Sequence, residues 1–230
     1  AALAESYVLS DNPYGDVAPS TLGADPVYVP QLAVGRLVEA PEDIVGAIDQ
    51  YVASDGIRTP TASFNAAYDW MLTTGAAVDA ALAPRVPTAR TELNDTWTRQ
   101  DAADGLALAA HGFFSINAHS DPVNALAADD WSSRTGTPDP LTTADLPADL
   151  RNGIGLTLGC HTGLNLSDTF VANPNLGEQQ ELLDWSQAVL RNGGVFQAPT
   201  GYGLGEKTTL AYSARLLARC RRDTPCNFAE

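Results

Sequence analysis

Two residues whose types can do covalent chemistry stand where strand-like runs stop: Cys160 and His119. Cys160 follows Ile154-Gly-Leu-Thr-Leu-Gly, an apolar run cut short by Gly159, which predicts a buried strand with an abrupt end. His119 closes Gly112-Phe-Phe-Ser-Ile-Asn-Ala, a second run of the same form. The two lie 41 positions apart (119 to 160), enough for a crossover that returns to a parallel neighbour. If the strands are adjacent, thiol and imidazole share one edge of one sheet, an arrangement suited to nucleophilic cysteine catalysis.

Each residue also has a plainer reading. A free cysteine is commonly a small buried hydrophobe. To act as a nucleophile it needs a cationic neighbour or a helix dipole that favours the thiolate. His161 is next in sequence, but adjacent strand residues point to opposite faces, so His119 is the better partner. His119 could instead be satisfied in a turn by Ser120 or Asp121. His111 precedes its strand, the wrong end for such a site, and reads as structural. Cys160, His161 and His119 would supply three soft metal ligands, with Asp121 needed as a fourth. No Cys-x-x-Cys or His-x-x-x-His spacing supports them, so no metal site is expected. Gly201-x-Gly-x-Gly resembles a phosphate cradle, yet Glu206 would repel phosphate. The same glycines also suit a loop whose backbone approaches an extended substrate.

These residues need a scaffold, and 230 residues with 44% hydrophobic content supply one large domain. No apolar run reaches the roughly 20 residues of a membrane span, and the first residues lack the basic and apolar regions of a signal peptide. The chain opens almost directly on strand-like Tyr7-Val-Leu, so a piece of a larger precursor with further domains is expected. A net charge of −15 argues against nucleic acid and suits a soluble protein or a cationic substrate. Of three cysteines, Cys220 and Cys226 are close enough for a small disulfide loop in an oxidising compartment, which leaves Cys160 free.

Along the chain, residues 11–30 read as a loop and residues 28–37 as extended. Pro41-Glu-Asp opens a helix to about residue 54, with Ile44, Ile48, Tyr51 and Val52 on one face. Strands are predicted over 62–70, 86–93, 112–119, 154–158 and 195–198. Helices are predicted over 75–82, 98–110, 182–191 and 208–219, with Thr98 as an N-cap. Residues 120–149 and 163–177 are polar stretches without a period, the first long enough to be a functional loop or lid. The alternation predicts an α/β fold, a mostly parallel sheet with helices on both faces.

The strand ending in histidine, the later strand ending in small-Cys and the α/β order resemble the caspase-like clan of cysteine peptidases. More narrowly, the chain is similar to the gingipain type. The likeness rests on Val29-Pro-Gln-Leu-Ala-Val-Gly-Arg-Leu, Ser115-Ile-Asn-Ala-His-Ser-Asp, Leu158-Gly-Cys-His-Thr-Gly-Leu-Asn and Thr200-Gly-Tyr-Gly-Leu-Gly. The resemblance implies one caspase-like domain over residues 1–230, with residues 1–60 an amino-terminal part and 61–230 the catalytic core. It implies a secreted or surface-bound bacterial endopeptidase acting on polypeptides. Cys160 would attack the scissile carbonyl and His119 protonate the leaving amine, without a third orienting residue being required. Backbone N–H groups of Cys160 and Ser120 would hold the oxyanion; the family usually has glycine where Ser120 stands. Gly159, Thr200, Gly201 and Tyr202 would line the substrate path. Cleavage after Arg or Lys would need an acidic pocket floor, for which Asp121, Asp168 and Glu206 are candidates. No cofactor is implied, although some members bind structural calcium. The rival reading is a silent member of the fold, kept as a binding or scaffold module of a large surface protein.

Overall fold

The computed structural model describes residues 10–29, 31–32, 34–133, 137–167 and 183–203. The amino-terminal part holds a one-turn helix α1 (Asn12–Gly15), a hairpin of β1 (Ser20–Leu22) and β2 (Asp25–Val27), and helix α2 (Pro41–Ala53). The expected loop over 11–30 therefore carries structure: Pro13 sits in the first turn of α1, and Gly23, at φ +68°, closes the hairpin. Residues 28–37 form no strand among the described residues.

From residue 63 strands and helices alternate. Strand β3 (Ser63–Ala67) leads through α3 (Leu72–Leu82) to β4 (Thr88–Leu93), and α4 (Arg99–Leu108) leads on to β5 (Phe113–Asn117). Then come β6 (Asn124–Ala125), α5 (Ala128–Ser133), β7 (Leu141–Thr142), β8 (Ile154–Leu156), α6 (Trp185–Arg191) and β9 (Val195–Gln197). The main sheet has the order β4-β3-β5-β8-β9, parallel throughout. Every residue of β3, β5 and β8 is buried, as in parallel strands covered on both faces.

Crossovers between parallel strands are right-handed, so reversing the direction of travel along the sheet moves the helix to the other face. The core follows this rule. On one face, Val78 and Leu82 of α3 pack with Phe113, Ile154 and Leu156. On the other, Ala102 and Leu106 of α4 and Trp185 and Val189 of α6 pack with Phe64, Phe114 and Ile116. Helices thus cover both faces, as the alternation predicts. Thr98 caps α4 in a reciprocal box with Asp101.

Several element boundaries differ from expectation. Strand β3 stops at Ala67, short of Trp70, because Asp69 turns left-handed at φ +54°. The described residues of 120–149 are not an unstructured lid; β6 pairs antiparallel with β7, and Asp129 and Asp130 occupy the first turn of α5. Helix α6 starts at Trp185 because the Asp184 carboxylate accepts from the Gln187 N–H. The expected helix over 208–219 and both Cys220 and Cys226 lie outside the described residues. No described helix is long and apolar enough to cross a membrane.

Candidate active site

Phe113 pairs with Ile154, an offset of 41 residues, and β5 and β8 keep that offset beyond their last paired residues. Thr157 Oγ1 donates to the Ile116 carbonyl at 2.5 Å, and the Leu158 N–H donates to Asn117 Oδ1 at 3.1 Å. Asn117 is fully buried and also donates to Ser115 Oγ at 2.9 Å, so it locks the ends of the two strands together. The same offset brings His119 level with Cys160 at the carboxyl edge of the sheet. Contact between the two chains continues there: a Cβ at Gly159 would lie 2.5 Å from Ser120 Oγ. In open parallel sheets this edge is where ligands bind.

His119 is held from three sides. Its Nε2 lies 3.3 Å from Asp69 Oδ2. Its ring packs on Trp131 at a centroid distance of 3.9 Å, with Tyr68 5.7 Å away. The His119 N–H donates to the Tyr68 hydroxyl at 3.0 Å, and burial pushes that phenol above its ordinary range. Asp69 stands at the end of β3, on the other side of β5 from Cys160. Its left-handed backbone, unfavourable by roughly 1–2 kcal/mol for a residue with a Cβ, is fixed by its N–H donating to Asp95 Oδ1 at 2.8 Å. Ser132 Oγ donates to the Asp95 carbonyl at 2.8 Å, which ties α5, and with it Trp131, to the same turn. An orienting carboxylate is therefore present where the family resemblance required none. Neither Asp69 nor Trp131 was picked out from the sequence. The available signal was an aspartate directly after an apolar strand, a turn former placed at a sheet edge.

Cys160 is a free, partly exposed thiol. The Gly203 N–H donates to its Sγ at 3.4 Å. Gly203 reaches this position only because it lacks a side chain, since a Cβ would collide with the Leu158 carbonyl. No hydrogen bond joins His119 to Cys160 among the described residues. The backbone N–H groups of Cys160 and Ser120 likewise have no acceptor among them. Ser120 faces Ala125 as a non-hydrogen-bonded pair, flanked by the Leu126-to-His119 and Asp121-to-Asn124 bonds. Amides without acceptors among the described residues at the edge that carries a thiol are the kind of donors an oxyanion needs.

His161 adopts φ +59°, so the alternation expected at 160–161 gives way to a turn. Its N–H donates to the Gly201 carbonyl at 2.7 Å, its Nδ1 lies 3.2 Å from the Thr200 carbonyl, and its ring meets Tyr202 edge-on at 4.8 Å. Thr200, Gly201 and Tyr202 are thus fastened to the turn that follows Cys160, and Tyr202 is 45% exposed. The loop beyond is anchored by Asp184, which accepts from Leu166 N–H at 2.7 Å and Asn165 Nδ2 at 2.9 Å; burial raises its carboxyl above the usual range. Of the candidate acidic floors, Asp121 is spent on its own turn, accepting from the N–H groups of Val123 and Asn124 at 2.8 Å. Asp168 and Glu206 lie outside the described residues. His111 stands below the opposite end of β5, its Nδ1 2.7 Å from the Arg151 carbonyl.

The chain matches no model of a known protein family, no curated protein and no solved structure.

Proposed function

We propose that the chain is a cysteine endopeptidase of the gingipain type within the caspase-like clan. The observation that carries this reading is the presence, at one sheet edge, of a free thiol, an imidazole oriented by a carboxylate, and two amides without acceptors among the described residues. In this mechanism the Cys160 thiolate attacks the scissile carbonyl, forming a C–S bond. The resulting oxyanion accepts from the N–H groups of Cys160 and Ser120. His119 gives its proton to the leaving amine as the C–N bond breaks, then takes a proton from the water that hydrolyses the acyl-enzyme. Asp69, 3.3 Å from Nε2, holds one ring nitrogen fixed.

Ser120, where the resemblance leads one to expect glycine, fits this scheme because its hydroxyl turns back to donate to the Ala118 carbonyl at 3.0 Å. A preference for Arg or Lys before the cut belongs to the same proposal and draws its support from the strongly acidic chain.

The test is labelling by peptidyl acyloxymethyl ketones carrying Arg, Lys, Asp, Asn or Leu at the cleavage position, with and without calcium. Wild type is compared with Cys160→Ala and His119→Ala. Labelling of wild type alone by the Arg or Lys probe is expected. Labelling by another probe keeps the peptidase and changes its specificity. A folded protein that no probe labels is a silent scaffold, and the proposal fails.

A further inference from the structure

Helix α2 is amphipathic but turned inside out. Its inner side is polar or small: Asp43 pairs with Arg191 of α6 through contacts of 2.9–3.0 Å, and Gln50 lies against Gly193. Its outer side carries Val45, Ile48, Tyr51 and Val52, which are 55%, 47%, 46% and 67% exposed. Positions 45, 48 and 52 are one and two turns apart and so form a stripe. None of the thirteen residues of the helix is buried. An apolar stripe held toward solvent on an ordered helix marks an interaction surface.

Charge decides what kind of partner fits. Residues 10–57 contain eight carboxylates against a single cation, Arg36, which pairs with Asp11. On the helix, exposed Glu42 and Asp49 flank the stripe, and Asp55 follows its end. A second copy of the chain would bring the same carboxylates to the contact, and an anionic lipid surface would be repelled. We propose that the outer face of α2 docks a cationic amphipathic polypeptide segment. Its apolar side covers Val45, Ile48 and Val52 while its Lys or Arg side chains meet Glu42, Asp49 and Asp55. This surface stands apart from the thiol site, so its test is independent of the peptidase reading.

The probe is a synthetic helical peptide with leucine at every third or fourth position and lysine between, followed by fluorescence anisotropy against the full chain. Saturable one-to-one binding is expected, weakened tenfold or more by the double variant Ile48→Asp, Val52→Asp and by raised salt. A glutamate version of the peptide should bind only the variant Glu42→Lys, Asp49→Lys, which keeps the stripe and reverses its rim. All these positions are exposed, and far-UV circular dichroism checks that the variants stay folded. Absence of binding, or equal affinity for wild type and the Ile48→Asp, Val52→Asp variant, overturns the proposal. So does a wild-type dimer in sedimentation that the same variant makes monomeric, because the occupant would then be a second copy.

Discussion

Strand β5 has a histidine two residues beyond each end, and the two are held in opposite ways. Below it, His111 lies at the protein surface, its Nδ1 2.7 Å from the Arg151 carbonyl, beside the Arg151–Asp149 pair that holds the Asp149 carboxyl below its usual range. Above it, His119 packs against Trp131, is faced by Asp69, and lies level with a thiol and two amides that have no acceptor among the described residues. One end ties its ring to a carbonyl 40 residues away; the other leaves amide donors without acceptors among the described residues. Residue type does not make a site; unspent bonding capacity gathered at one edge does. A parallel sheet sends both its crossover starts to the carboxyl edge, so that capacity collects there.

The contrast is sharpest if the His119 end is broken first. His119→Ala should lower kcat by about 10²–10⁴-fold on a substrate identified by the labelling experiment. Asp69→Asn keeps the shape and removes the charge. A drop of roughly tenfold is expected, far below the ~10⁴-fold seen for a buried triad carboxylate, because the Asp69 side chain is 39% exposed. Trp131→Leu should reduce kcat about twofold to tenfold with KM unchanged, matching the about 0.5–1.5 kcal/mol of an aromatic pair. Trp131→Phe should restore most of the loss, and an unchanged kcat in Trp131→Leu would remove Trp131 from the positioning set. His111→Gln should leave kcat within about twofold and lower stability in urea by roughly 0.5–1.5 kcal/mol, one hydrogen bond. If His111→Gln cut activity as deeply as Asp69→Asn, the distinction between the two ends would collapse.

The parallel sheet, and with it the register that brings His119 and Cys160 to one edge, were legible because near-continuous apolar runs have one common explanation, burial on both faces. The 41-residue offset was visible too, although the side-chain bonds of Thr157 and Asn117 that preserve it were not. Asp69 escapes the sequence reading because the strand pattern runs three residues past Ala67, beyond a turn fixed by the Asp95 contact. Strands β6 and β7 are two residues each, below the length at which a period can be seen. For α2, periodicity revealed an apolar face but not its direction, which depends on the Arg191–Asp43 pair formed 148 residues apart. Local pattern reports which side chains belong together; the long-range partner decides which way they turn.

The surroundings of Cys160 come from separate stretches of chain, with Gly203 43 residues further on and Asp69 50 residues before His119. Each closure carries an entropic cost, and contacts between distant residues form late in folding. The thiol should therefore meet its amide donor only after β9 has joined the sheet. On the proposed peptidase reading, a chain part-way through folding would carry the nucleophile without the groups that make it act. Assembly order would then serve as a safety catch, keeping the chemistry unarmed until the scaffold that confines it is closed.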